Sequence, residues 1–213
     1  MTLISRTRVK ICGITRPQDG ATAAHLGADA IGLVFHRSSP RFVTADGARR
    51  IIAALPPFVS VVGLFMNAEP AAVRAVLAEV PLHELQFHGA EEPDACAAFG
   101  LPYIKAVPMG AGADVRDYEQ RFAGATGLLL DSHGGQQMGG TGHGFDWTRI
   151  PSERHKPLIL AGGLHPGNVA AAIRQVRPYA VDVSSGVESA KGIKDADLIR
   201  AFLRGVYDRE SPA

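Results

Sequence analysis

Two residues stand where a strand ends and a loop begins. Cys12 closes the apolar run of "VKICGIT", and Asp131 closes "GLLLD". A thiol in such a place can be a small hydrophobe, a metal ligand, half of a disulfide, or a nucleophile or base. Lys10 shares its strand face with Cys12, because side chains alternate along a strand, and a neighbouring ammonium favours the thiolate. A carboxyl emerging from three leucines is partly desolvated, which raises its pKa and keeps it protonated, as a general acid requires. The pair thus reads as base and acid for proton transfer. The alternative for Asp131 is a loop-capping carboxylate.

Other residues join these two. Arg41, in "HRSSPR", carries a guanidinium able to grip a carboxylate through two hydrogen bonds; a solvated loop arginine is the other reading. The stretches "AGGLHPGNV" and "SSGVES" contain Gly162, Gly163, Ser185 and Gly186. There backbone N–H groups and nascent helix N-termini suit an anion such as phosphate. "GGTGHG" at 139–144 neither follows a strand directly nor opens a helix, so it is no dinucleotide fingerprint. It reads as a mobile active-site flap. The eight histidines show neither HxH nor HExxH spacing, and no metal or cofactor is expected.

Eight short β-rich runs set these residues in place, at 9–14, 30–35, 59–65, 84–89, 103–107, 127–131, 157–162 and 179–185. Amphipathic helical stretches at 44–55, 69–80, 114–123, 166–176 and 193–208 lie among them. Eight strand–helix units predict an α/β fold, one (βα)8 barrel spanning 1–213, with its chemistry on the loops after the strands. The sixth unit leaves little room for a long helix. Strands one and six then face each other across the barrel mouth, bringing Cys12 and Asp131 to opposite ends of a small ligand. Alternation groups Lys10 with Cys12, Gln86 with His88, Tyr103 with Lys105, Leu129 with Asp131 and Asp182 with Ser184. If those faces point inward, the interior is polar, either a site or a paired structural network.

Composition excludes several classes. A net charge of +1 without a basic block gives no reason to expect nucleic acid or an anionic membrane. No apolar run approaches a membrane span, and the N-terminus lacks a secretory signal pattern. Two distant cysteines, Cys12 and Cys96, fit a reducing cytoplasm better than a disulfide.

The strand ends resemble those of the phosphoribosylanthranilate isomerases of tryptophan biosynthesis. The motifs are "KICGIT", "GLVFHRSSPR", "VGLFMN", "QFHG", "GGTGHGFDW", "LAGGLHPGNV" and "VDVSSGVES" followed by "KGIKD". They run in the family's order over nearly the whole chain. Phe87 stands where the family commonly has leucine, and "SHGGQQM" ahead of the flap varies in type. The resemblance implies an Amadori rearrangement of N-(5-phosphoribosyl)anthranilate. It assigns Cys12 as general base, Asp131 as general acid and Arg41 as holder of the anthranilate carboxylate. It places the phosphate at Gly162, Gly163, Ser185 and Gly186. Lys10, His88 and Asp182 then support the acid and base. The partner is a small phosphorylated substrate, with a monomer expected and a dimer open. Another phosphosugar isomerase or epimerase, and a non-catalytic phosphometabolite-binding barrel, are the competing readings. The epimerase would call for paired aspartates and metal-binding histidines; the binding barrel has no need of a matched Cys12 and Asp131.

Overall fold

The computed structural model describes residues 6–132 and 145–207. Eight parallel strands close into a barrel in sequence order: β1 (Arg8–Cys12), β2 (Ala30–Val34), β3 (Ser60–Phe65), β4 (Glu84–Phe87), β5 (Tyr103–Pro108), β6 (Gly127–Asp131), β7 (Leu158–Leu160) and β8 (Ala180–Val183). Most are β-branched or leucine-rich runs, as expected of strands covered on both faces. β8 returns to β1 with Lys10 opposite Asp182, which closes the ring.

The helices are α1 (Pro17–His25), α2 (Ala45–Ala53), α3 (Pro70–Glu79), α4 (Pro93–Ala97), α5 (Val115–Arg121), α6 (Val169–Val176) and α7 (Ala196–Tyr207). Their starts are chemically marked. Pro17, Pro70 and Pro93 occupy first-turn positions, where a missing N–H costs nothing. The side chains of Thr44 and Asp114 cap α2 and α5 by accepting from Gly47 N and Arg116 N. α1 and α4 escape the periodicity reading because one is mostly alanine and polar residues and the other spans five residues. The sixth unit carries only a 3-10 turn, Trp147–Arg149, among its described residues.

One expected helix begins later than its pattern suggests. Ile193 and Lys194 form β10, antiparallel to β9 (Glu188–Ala190), and α7 starts after them. Gly192, at φ +77°, makes the turn that this hairpin needs.

Two apolar layers result. The larger lies between sheet and helices and includes Ile11, Leu33, Phe65, Leu85, Phe87, Leu128 and Phe202. Phe87 sits there in an aromatic cluster, its ring centre 6.3 Å from Phe65, 5.8 Å from Phe99 and 6.0 Å from Tyr103. The smaller layer fills the barrel itself with Ile104, Ala106, Leu129, Ile159, Ala161 and Ala180.

That division corrects one expectation. Tyr103 and Lys105 point outward, because the register pairs them with Leu85 and Phe87, and Ile104 lies inside opposite Gln86. Alternation tells which residues share a face, but not which face is inner. Lys105 is fully buried beneath the helices, where Nζ donates to Gly89 O at 2.6 Å and to Glu91 Oε2 at 2.8 Å. No helix of the described residues is long and apolar enough to cross a membrane.

Candidate active site

Cys12 ends β1 with its thiol against β2, and Gly32 opposite makes room for it. A Cβ at position 32 would stand 2.7 Å from Cys12 Sγ and 3.2 Å from Lys10 Cε. Below the thiol, Lys10 Nζ donates to Asp182 Oδ1 at 2.9 Å, and both side chains are buried. Burial pulls the Lys10 ammonium down, but the charges of Asp182 and Cys12 outweigh it and hold lysine above its ordinary value. The thiol is a different balance. Burial pushes Cys12 up, and Lys10 only partly opposes it because Asp182 lies nearby. The expected lowering of the thiol by Lys10 is therefore present but outweighed. Desolvation wins.

Asp131 closes β6 and is buried. His88, just beyond β4, places Nε2 at 3.1 Å from Asp131 Oδ2. Gln86 Nε2 lies 3.0 Å from the other ring nitrogen of His88. With that amide donating to Nδ1, the neutral ring carries its proton on Nε2 and donates it to the carboxylate. Gln86 is completely buried and, like Lys10 and Asp182, supports a neighbour from within the barrel.

Cys12, Arg41, His88, Asp131, Asp182 and Ser184 line one cleft at the C-terminal mouth. A smaller cavity adjoins it, walled by Gly162, Gly163 and Ser185 and sharing Asp131, Asp182 and Ser184. Gly162 and Gly163 both take positive φ, +78° and +67°. A Cβ on Gly162 would meet Asp131 Oδ1 at 2.8 Å, so this glycine lets the seventh loop lie against the Asp131 carboxyl. Ser185 begins a 3-10 turn, Ser185–Val187, whose first N–H groups lack partners within the turn. Gly186 does not line the cavity, but it is where the seventh and eighth loops touch: a Cβ there would meet Leu164 O at 2.0 Å.

Arg41 is no solvated loop arginine. It is 9% exposed and grips Glu188 through Nε at 2.7 Å and Nη2 at 2.8 Å. Lys194 Nζ donates to the same Glu188 Oε1 at 2.8 Å. Burial pushes the Glu188 carboxyl up, but the Arg41 hydrogen bonds and the Lys194 charge hold it below the usual range. Glu188, Lys194 and Gly32 were not singled out by sequence. Only the position of Glu188, just past the eighth glycine loop, hinted at it. Residues 139–144, read as a flap, lie outside the described residues, as do His133 and His143. Among the described residues, no group of three or more His, Cys, Asp or Glu is placed to hold a metal ion.

The model of the family described as N-(5′-phosphoribosyl)anthranilate (PRA) isomerase matches residues 9–205. The chain belongs to this family. The N-(5′-phosphoribosyl)anthranilate isomerase of Nitrosococcus oceani is 54% identical over 201 residues, covering 94% of this chain and 98% of that protein. The phosphoribosylanthranilate isomerase of Thermotoga maritima superposes with a TM-score of 0.85 at 41% identity, covering 95% of this chain and 99% of the other. A further structure of the family was solved with reduced 1-(o-carboxyphenylamino)-1-deoxyribulose 5-phosphate. It matches with a TM-score of 0.78 at 39% identity, over 95% of this chain and 99% of that one. Family membership and the barrel architecture agree with what the strand-end motifs imply.

Proposed function

We propose that Cys12 is the general base and Asp131 the general acid of the family's isomerisation in tryptophan biosynthesis. The reaction is the Amadori rearrangement of N-(5-phosphoribosyl)anthranilate to 1-(2-carboxyphenylamino)-1-deoxyribulose 5-phosphate. One observation carries the assignment: Cys12 and Asp131 project into a single mouth that continues into the glycine-walled cavity. A phosphate held at Gly162, Gly163, Ser185 and Gly186 fixes one end of the substrate, and Arg41 meets the carboxylate at the other.

Asp131 gives its proton to the furanose ring oxygen, and the C1′–O bond opens to a protonated Schiff base. Cys12, as thiolate, takes the proton from C2′, leaving an enolamine that tautomerises to the ketone. His88 steadies the carboxylate that Asp131 becomes, and Lys10, held by Asp182, favours the thiolate. Both steps are proton transfers, and these side chains supply both partners.

The residues assigned here as base, acid, carboxylate holder and phosphate site need no contribution from a partner subunit, and we propose action as a monomer. The two free, buried thiols fit a reducing cytoplasm. The test is turnover of phosphoribosylanthranilate, followed by loss of its fluorescence. Turnover that disappears in Cys12→Ser and in Asp131→Asn supports the assignment. Turnover undiminished in either variant removes that residue from the mechanism.

A further inference from the structure

An arginine fork has two edges that can each take a carboxylate: Nε with Nη2, and Nη1 with Nη2. In Arg41 the first edge is already taken by Glu188. Arg41 itself lines the cleft at the mouth, as do Cys12 and Ser184, so the second is the edge left for a ligand there.

Glu188 is itself firmly held. Lys194 Nζ bonds its Oε1 and also reaches Ser184 O at 3.0 Å. Lys194 N donates to Asp19 Oδ2 at 3.1 Å, and Thr15 Oγ1 donates to Gly192 O. The hairpin of β9 and β10 is thus pinned to the start of α1, and its first and last residues are Glu188 and Lys194. Arg41 is hemmed in from the other side by Gly13, where a Cβ would come 2.4 Å from Arg41 Cδ.

We infer that Glu188, anchored by Lys194, is a positioning residue for substrate recognition: it holds the Arg41 fork so that the Nη1–Nη2 edge meets the substrate carboxylate end-on. This rests on the reading of Arg41 as the carboxylate holder. It assigns a purpose to the hairpin, which otherwise only decorates the barrel.

The charges give the idea a sign that a simple electrostatic role lacks. Arg41 and Lys194 carry two positive charges against the one negative charge of Glu188. Glu188→Gln raises the local net charge by one, so charge alone predicts tighter binding of a carboxylate. Positioning predicts weaker binding, because the neutral amide cannot take both Arg41 donors and Lys194 as acceptor.

The experiment compares wild type, Glu188→Gln and Arg41→Ala on two probes. One is the reduced 1-(o-carboxyphenylamino)-1-deoxyribulose 5-phosphate; the other is the same molecule without the ring carboxylate. Glu188→Gln should weaken the first probe roughly 10-fold and change the second less than about 2-fold, with KM raised and kcat little altered. Glu188→Asp keeps the charge but shortens the reach, and an intermediate loss is expected. It also serves if the glutamine variant does not fold. Tighter binding of the first probe by Glu188→Gln would overturn the inference. So would equal weakening of both probes, the sign of a structural role alone. If Arg41→Ala weakens both probes equally, the carboxylate reading itself falls. If Arg41→Ala discriminates while both Glu188 variants do not, only the positioning role falls.

Discussion

His88 Nε2 lies 3.1 Å from Asp131 Oδ2, and Gln86 Nε2 lies 3.0 Å from the other nitrogen of the His88 ring. The Asp131 carboxyl, the proposed acid, is therefore met by a relay that starts inside the barrel. A donor aimed at a carboxylate stabilises it more as its charge develops, when the proton leaves for the substrate. Asp131→Asn should lose roughly 10²–10⁴-fold in kcat, the usual worth of a positioned proton-transfer group. His88→Ala removes a hydrogen bond to a charged group, so a smaller loss of roughly 10–100-fold is expected. Single-turnover rates beside product-analogue affinity separate the two. A His88→Ala variant with unchanged kcat would leave the relay without a catalytic role.

Cys12 makes a prediction about pH. Burial pushes its thiol above the ordinary 9.0, with Lys10 pulling the other way. The thiolate is then a minor species at neutral pH, and kcat/KM should climb as pH rises toward and past that value. Replacing Lys10 with methionine removes the pull, so the rising limb should move further into alkali. Each unit of movement lowers the neutral-pH rate about tenfold. Because Lys10→Met strands Asp182, the double variant with Asp182→Asn is the cleaner protein. Stability runs the same way. A raised thiol contributes stability fully below its unfolded value and loses it as pH rises through the folded one. Asp182 itself raises the thiol, so its loss in the double variant works against the shift. A limb that stays in place in Lys10→Met, with Asp182→Asn alone as the reference, would show that Lys10 does not act on the thiol.

The barrel, and the placement of Cys12 and Asp131 at strand ends on its mouth, were legible because hydrophobic runs, strand ends and glycine loops are local signals. What was not legible depends on register. Lys105 shares a face with Tyr103 in sequence, but only pairing with Leu85 and Phe87 shows that face to be outer. Gly32 matters through its neighbour across the ladder, Cys12, twenty residues away in sequence. Glu188 reaches Arg41 from 147 residues further along the chain, a separation that no local pattern encodes. The balance at Cys12 is hidden from sequence for a related reason: a charge beside a thiol is visible there, whereas the depth of burial that offsets it is a property of the closed barrel.

Lys105 and Glu91 form a buried ion pair at 2.8 Å under the helices. Glu91 also accepts from Asn67 N at 2.7 Å and Gly89 N at 2.8 Å, so it fixes the loop immediately after His88. Removing one partner strands a buried charge, and Glu91→Ala should cost about 3–5 kcal/mol in urea unfolding. The double variant with Lys105→Met should recover much of that. Burial pushes the Glu91 carboxyl up, but the Lys105 contact outweighs it and holds the group below its ordinary 4.5. Its contribution is thus present above that value and lost as pH falls through the folded one. Wild type should lose more stability on acidification than the double variant. Parallel losses would mean the pair contributes nothing to acid sensitivity.

The phosphate assignment meets its sharpest test at Gly186, which touches the opposite loop without lining the cavity. Its φ is not positive, so alanine brings no backbone strain; only space is at issue. A methyl there would lie 2.0 Å from Leu164 O and 3.0 Å from His165 Cα. Both are backbone atoms, so the seventh and eighth loops must separate. Loops that cradle phosphate through N–H groups depend on closely set geometry. Gly186→Ala should therefore raise KM roughly 10–100-fold and weaken competitive inhibition by inorganic phosphate by a similar factor, on the scale of a lost charged hydrogen bond. The drop in kcat should be smaller, since Cys12 and Asp131 are untouched. Gly100→Ala is the control. That glycine has φ +73° with nothing within 4 Å of an added Cβ, so its replacement brings strain but no contact, and phosphate inhibition should stay as in wild type. Unchanged phosphate inhibition in Gly186→Ala would place the phosphate elsewhere on the mouth.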